Sequence, residues 1–247
     1  MPIKSNLKDP AMKYRPIPFW SWNDKLETDE LRHQVDMMNS AGIGGYFMHA
    51  RGGLQTEYMG REWFEAVDAC LEQGGSNGMD SWAYDENGWP SGFGDGRVNG
   101  LGIEYQQKYL RCELVSADGI ERSDRTIVVH PADGGMVRHF FYEINPHYVD
   151  TLDRKVTETF IDAIYQPYYE RLSAQDRSPR ELTGFFTDEP QISRNGMPWS
   201  FILADEYERA YGENLIDRLP HLFFEESECR RTRYRVWKLI TELFMNN

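Results

Sequence analysis

The sequence predicts an α/β fold: a TIM-like (β/α) barrel of which only the first half, about four βα units, is present. Short apolar runs rich in aromatic and β-branched residues alternate with segments whose apolar residues recur at helical spacing. Such alternation is typical of parallel sheets with right-handed crossovers. A full eight-fold barrel usually needs about 250 residues. Part of the 247 residues here is taken up by a β-rich segment after the third strand.

The predicted elements begin after a leader, residues 1–16, which we expect to be poorly ordered. Residues 17–247 are assigned to the partial barrel. The first helix begins near Thr28, and the second is expected to stop at Gly74 and Gly75. We predict barrel strands over residues 17–23, 43–48, 80–84 and 182–187.

The segment between the third and fourth strands is predicted to be a β-rich insertion over residues 105–144. Its β-type runs cover residues 109–115, 126–129 and 137–144, and turn residues separate them. A third helix is expected to start at Asn145 and to end near Pro167 or Leu172. Two further helices, the first closed by Gly212, complete the chain.

The charge and composition exclude several classes of partner. The chain carries 27 basic and 40 acidic residues, a net charge of −13, whereas nucleic acids and anionic membranes attract positive surfaces. The three cysteines lie far apart and indicate neither a disulfide framework nor a metal site, which favours a reducing compartment. No signal peptide or membrane span is expected. We therefore predict a cytoplasmic protein without a cofactor or metal, whose ligand is neutral or cationic.

The fourth strand ends in the acidic pair Asp188 and Glu189, followed by Pro190. Because proline cannot continue a central strand, the two acids lie where the chain leaves the core. In a barrel of parallel strands this rim carries the chemistry. A carboxyl group beside apolar walls can have a raised pKa and donate a proton near neutral pH. The alternative, left open by so short a motif, is that both acids only cap the next helix.

Polar and aromatic residues also follow the other three strands, and parallel strands would bring them to the same mouth. Acids and an amide bind sugar hydroxyl groups, and an indole packs on the apolar face of a pyranose ring. The sequence therefore predicts a carbohydrate site around Asp188 and Glu189. Its other candidate members are Trp20, Trp22 and Asn23, then His49 and Arg51, then Asp85, Glu86 and Trp89.

Each candidate has a simpler alternative. Trp20 and Trp22 are equally compatible with the core, and His49 with a satisfied buried histidine. Arg51 could form a weak surface ion pair with a nearby glutamate. The glycine-rich residues 92–96 lack the spacing and the lysine of a phosphate-binding loop.

Four segments resemble a known group of proteins. Residues 187–190 resemble the Asn-Glu-Pro end of strand four in clan A glycoside hydrolases. Residues 18–23, 42–51 and 84–92 are similar to a group of large bacterial glycoside hydrolase-like proteins related to α-L-rhamnosidase-type barrels. The likeness extends over roughly residues 15–247, and the third of these longer segments is the most specific.

The resemblance implies a (β/α)8 barrel in which Glu189 is the general acid, with Asp85, Glu86, His49 and Arg51 in the sugar-binding mouth. Asp188 stands where clan A has asparagine, so the usual contact with the 2-hydroxyl group of the sugar is not implied. The second catalytic carboxylate of clan A comes from a strand seven that this sequence lacks.

Three functional hypotheses follow. The first is a glycoside hydrolase region acting by carboxylate general acid/base catalysis, with Glu189 as acid and with Asp85, Glu86 or a residue beyond Asn247 as its partner. The second is a non-catalytic carbohydrate-binding or scaffold module made from a truncated barrel. The third is a metal-dependent hydrolase using His49, Asp85 and Asp188. Because a half barrel leaves open sheet edges, we also expect that a homo-oligomer could cover them.

Overall fold

The computed structural model describes Lys8, residues 10–174 and residues 182–247. Residues 1–7 and 9 of the predicted leader lie outside the described residues. The chain divides into two compact units. Unit 1 comprises Met1–Asp95 and Phe160–Pro190, and unit 2 comprises Gly96–Thr159 and Gln191–Asn247.

The elements of the described residues alternate only in part between strand and helix. The strands are β1 (Phe19–Trp22), β2 (Gly45–Ala50), β3 (Asp80–Asn87), β4 (Gln106–Ser116), β5 (Thr126–Pro131), β6 (Met136–Val149), β7 (Gly184–Phe186) and β8 (Met197–Trp199). The helices are α1 (Thr28–Ser40), α2 (Arg61–Ser76), α3 (Arg154–Phe160), α4 (Gln166–Ala174), α5 (Leu203–Tyr211), α6 (Leu215–Arg218), α7 (Pro220–Phe223) and α8 (Cys229–Asn246). A π-helical turn, Ile161–Tyr165, separates α3 from α4.

Unit 1 contains a four-stranded sheet in the order β1-β2-β3-β7, and every pair in it is parallel. The predicted parallel pairing of these strands is therefore confirmed. In a parallel sheet the carboxyl ends of all strands meet at one edge, where ligands of open α/β sheets bind. The same edge receives the residues that follow β1, β2, β3 and β7.

One face of this sheet is closed by helices. The Trp22 ring meets the Trp63 ring of α2 at 5.0 Å, and Trp63 Nε1 donates a hydrogen bond of 3.0 Å to the hydroxyl group of Tyr168 in α4. All three side chains are buried, and each such burial is worth about 2–3 kcal/mol. These contacts therefore pack the sheet against α2 and α4.

The helix α2 runs through the glycines that were expected to stop it. Gly74 lies inside the helix, and a Cβ atom there would lie 2.4 Å from the hydroxyl oxygen of Tyr46. That hydroxyl donates to the carbonyl oxygen of Cys70 at 2.6 Å. Gly74 thus serves close packing of helix on sheet, and the prediction of a stop at Gly74 and Gly75 was wrong.

Unit 2 contains an antiparallel sheet in the order β5-β6-β4-β8, packed on helices α5 to α8 through a core that includes Phe140, Leu203 and Tyr207. The three β-type runs predicted between residues 105 and 144 are present as β4, β5 and β6. The strand β6 continues to Val149, so the helix expected to start at Asn145 begins only at Arg154.

The predicted TIM-like barrel is wrong. After β3 the chain builds the antiparallel strands β4, β5 and β6, and only β7 returns to the parallel sheet; β8, which the sequence analysis missed, pairs with β4. Within the described residues there are two open sheets and no closed barrel. The error arose because strands that alternate with helices and pair in parallel are common to closed barrels and to open sheets.

No helix among the described residues is long and apolar enough to cross a membrane. Cys70, Cys112 and Cys229 are all free thiols.

Candidate functional site

The candidate site lies at the carboxyl end of the parallel sheet in unit 1. Asp85 and Glu86 were expected to follow β3, but the strand runs on to Asn87 and includes both. The register changes here, because Met48 pairs with Ala83 whereas Ala50 pairs with Asn87. This places a bulge in β3 at the two acids. Bulges redirect side chains and are frequent beside active sites.

Glu86 is fully buried in a loop of backbone amide groups. Its Oε1 and Oε2 atoms together accept hydrogen bonds of 2.6 to 3.2 Å from the backbone N–H groups of Asn87, Gly92, Phe93, Gly94 and Asp95. Burial raises the pKa of Glu86 to about 7, although these N–H donors act in the opposite direction. The carboxyl group therefore fixes the conformation of the loop that follows β3, residues 88–95.

Asp85 is also fully buried, and it is surrounded by hydroxyl groups. Its Oδ1 accepts from Ser91 Oγ at 2.6 Å, and its Oδ2 accepts from Tyr165 and from Thr187, each at 2.7 Å. Burial raises the pKa of Asp85, and these three donors oppose the rise. Tyr165 belongs to the π-helical turn, a feature often found at functional sites.

Asp188 and Glu189 follow β7 and are accessible to solvent. Asp188 is half-buried and Glu189 is exposed. The backbone of Asp188 pairs with Ser91 in both directions, since Ser91 N–H donates to the Asp188 carbonyl at 2.9 Å and Asp188 N–H donates to Ser91 Oγ at 2.8 Å. Glu189 has a φ of 45°, in the left-handed region that residues with a side chain rarely adopt.

His49, at the end of β2, is buried and stacks on the ring of Tyr84 at 3.8 Å. Burial lowers its pKa to about 4; the charge of Arg51 adds to this fall and the charge of Asp188 opposes it. The imidazole is therefore neutral at physiological pH. Its Nδ1 atom is buried and has no hydrogen-bond partner of ordinary geometry among the described residues.

The other predicted residues differ in exposure. Trp22 is buried in the core, which was the simpler alternative for this residue. Trp20 is half-buried, and its Nε1 donates a hydrogen bond of 2.9 Å to Gln34 Oε1. Asn23 and Arg51 are exposed, and Arg51 N–H donates to the carbonyl of Trp22, which joins the exits of β1 and β2. Trp89 is 39% exposed. No ion pair links Arg51 to a glutamate within the described chain.

The structure brings the exits of β3 and β7 together through hydrogen bonds and links His49 electrostatically to Asp188. Sequence reasoning missed Ser91, Tyr165 and Thr187, the hydroxyl groups that surround Asp85. Ser91 and Thr187 lie inside segments singled out for their acids, and the hydroxyl groups beside those acids were the available signal. Nothing in the sequence around Tyr165 indicated its contact, because it lies 80 residues away from Asp85.

Which acids at this edge can contact a bound molecule depends on their exposure to solvent. Of the four acids, only Asp188 and Glu189 offer oxygen atoms that a bound molecule could reach. Asp85 and Glu86 have all their oxygens engaged by protein donors. No cluster of three or more His, Cys, Asp or Glu side chains suited to a metal occurs in the described segments. The edge is thus one at which the side chains of Asp188 and Glu189 can contact a bound molecule.

Comparison with known proteins adds little to this geometry. No protein-family model matches the sequence, and no curated protein matches it. Among solved structures, a rhamnosidase from Novosphingobium sp. PP1Y is similar over 53% of this chain and 12% of its own length, with 21% identity and a TM-score of 0.38. The chain therefore spans only a small part of that protein, and a likeness at this level decides neither fold nor function.

Proposed function

We propose that unit 1 carries a carbohydrate site related to those of glycoside hydrolases, with Glu189 as the proton donor to a glycosidic oxygen. The supporting observation is the hydrogen-bonded junction of β3 and β7, which presents Asp188 and Glu189 to solvent at the carboxyl edge of a parallel sheet. Acids at such an edge can bind hydroxyl groups and transfer protons. The resemblance of residues 84–92 and 187–190 to glycoside hydrolase-like proteins supports the same assignment.

Within this proposal the other residues bind rather than react. Trp89 is exposed enough for its indole to pack on a pyranose ring. Asn23, Arg51 and Asp188 can hydrogen-bond sugar hydroxyl groups, whereas the buried His49 lies behind them and can act only through its neighbours. The ligand is neutral, in keeping with the strongly acidic chain.

Binding without turnover is the second candidate, and one observation favours it. A glycosidase uses two carboxyl groups on either side of the scissile bond, yet Asp85 and Glu86, predicted as partners of Glu189, are fully buried and hydrogen-bonded. A site with Glu189 and Asp188 alone would bind a sugar without cleaving it.

The test measures both outcomes on the 247-residue protein. Hydrolysis of a panel of methyl glycosides, whose leaving group must be protonated, and calorimetric binding of the parent sugars are compared for wild type, Glu189→Gln and Glu208→Gln, an exposed glutamate of α5 that serves as control. We expect turnover that falls at least about 100-fold only in Glu189→Gln. Binding that is unchanged in that variant, with no turnover in any protein, supports the binding module instead. Neither binding nor turnover in the wild type rejects both.

A further inference from the structure

Ser91 is a small, buried residue that was not among the predicted site residues and has no role in the proposed proton transfer. We propose that Ser91 is a positioning residue: supported by Asp85, it fixes the backbone of Asp188 and thereby the direction of the Glu189 carboxyl group. Its effect on catalysis rests on the proposed function, whereas its effect on the backbone does not.

The hydrogen bonds around Ser91 have a defined direction. The Ser91 hydroxyl group donates to Asp85 Oδ1 at 2.6 Å, so its lone pairs are left to accept the N–H of Asp188 at 2.8 Å. The N–H of Ser91 donates to the carbonyl oxygen of Asp188 at 2.9 Å. Ser91 is 1% exposed, so its hydroxyl group is shielded from bulk water. Both polar groups of the Asp188 backbone thus depend on a single residue.

The segment that Ser91 holds would not keep its conformation by local preference. The strand β7 ends at Phe186 after three residues, and the chain then has no further ladder bonds to β3. Glu189 is left-handed and precedes Pro190, two conditions that oppose each other because a residue before proline prefers extended backbone. Such a conformation persists only where its surroundings over-determine it. Thr187 bonded to Asp85 and Asp188 bonded to Ser91 provide that restraint.

The same contacts give Asp85 a role different from proton transfer. Ser91 occupies its Oδ1, while Tyr165 and Thr187 occupy its Oδ2. A sugar could receive a proton from Asp85 only if one of these hydroxyl groups were displaced. Asp85 therefore acts through Ser91 and Thr187, and its loss is expected to loosen the exit of β7.

The first experiment needs no ligand. Hydrogen exchange of the backbone amides, resolved by NMR, is compared for the wild type, Ser91→Ala and the control Ser76→Ala, which removes an exposed hydroxyl bonded to the Glu72 carbonyl in α2. The Asp188 amide is expected to be protected in the wild type and to exchange about tenfold faster in Ser91→Ala only. An unprotected Asp188 amide in the wild type, or one unaffected by Ser91→Ala, overturns the proposal. If Ser91→Ala does not fold, the same exchange measured in Asp85→Asn decides, and a rate at Asp188 equal to that of the wild type overturns the proposal.

The second experiment separates positioning from structure alone. With a methyl glycoside that the wild type hydrolyses, Ser91→Ala should lower kcat about tenfold or more and leave KM within about twofold. Asp85→Asn should do the same and also speed exchange at Asp188. If Asp85→Asn abolishes turnover while exchange at Asp188 stays slow, Asp85 is a proton-transfer group and this assignment is wrong. If the wild type hydrolyses nothing, the proposed function fails while the exchange result still decides the role of Ser91.

Discussion

The strongest test of the site's electrostatics is the replacement Glu86→Gln. Burial raises the pKa of this carboxyl group from an ordinary 4.5 to about 7. The folded chain therefore keeps a proton that the unfolded chain has lost between these pH values, so stability is fully present below pH 4.5 and falls as the pH rises towards 7. At about 1.4 kcal/mol for each pH unit, the interval corresponds to about 3 kcal/mol. Glutamine has nearly the same shape and cannot ionise.

The measurement is urea unfolding of wild type and Glu86→Gln at several pH values from 4.5 to 7.5, followed by tryptophan fluorescence. Five of the seven tryptophans (residues 20, 22, 63, 82 and 89) lie in unit 1, so the signal reports mainly on the unit that contains Glu86. The difference between the two proteins cancels the titration of all other groups. We expect the wild type to lose about 3 kcal/mol relative to the variant over this range.

A different outcome would refute the reasoning in a specific way. Five backbone N–H groups point at the carboxyl oxygens, and a carboxylate that accepts several such bonds can instead have a depressed pKa. A difference that is constant with pH, or one that favours the wild type as the pH rises, would mean that these donors outweigh the cost of burying the charge.

Other expected outcomes concern the exit of β7, the ion pair in unit 2 and His49. Glu189→Gly should give a protein about 1 kcal/mol more stable than Glu189→Ala, because only alanine is strained at the φ of 45° seen for Glu189. Equal stabilities of the two variants in urea would argue against the left-handed backbone. Lys108→Met leaves Asp150 buried without its 3.3 Å ion pair and should cost about 3–5 kcal/mol, whereas Lys238→Met, in an exposed pair, should cost less than about 1; similar losses in thermal unfolding by circular dichroism would contradict this. Because burial lowers the pKa of His49 to about 4, wild type should lose up to about 3 kcal/mol relative to His49→Gln as the pH falls from 6.5 to 4, and a pH-independent difference in urea would refute it.

The strands could be predicted from the sequence because their signals are local. The aromatic run of β1 and the apolar run of β2 are each recognisable within a few residues, and both strands were predicted to within two residues of their observed ends. The assignment of a strand to a sheet is not local. The partner of β4 lies about 30 residues away in β6, and its other neighbour β8 about 90 residues away. The sequence separated residues 105–144 from the parallel strands but gave no sign of β8, and the barrel expected from four βα units was wrong because the parallel sheet is open.

The roles at the site divide in the same way. That acids would gather at the exits of β3 and β7 followed from parallel pairing alone. Which of them would be buried did not follow, because it depends on the two-residue bulge in β3 and on hydroxyl groups from distant positions. The sequence presented Asp85 and Glu189 as equivalent acids after a strand, whereas the fold encloses the first and exposes the second.

The enclosure of Asp85 and Glu86 has a consequence for the chemistry of the edge. Each buried acid is connected to a stretch of backbone that carries an accessible group: Glu86 to the loop with Trp89, and Asp85, through Ser91, to Asp188 and Glu189. Burying a carboxyl group is costly unless hydrogen bonds compensate it, and here the compensating donors are the loops themselves. Replacing either buried acid would therefore shift the exposed groups, although the substitution itself removes none of them. A mutational loss of activity at Asp85 or Glu86 would consequently not identify a catalytic group unless the backbone of the exits were shown to be unchanged.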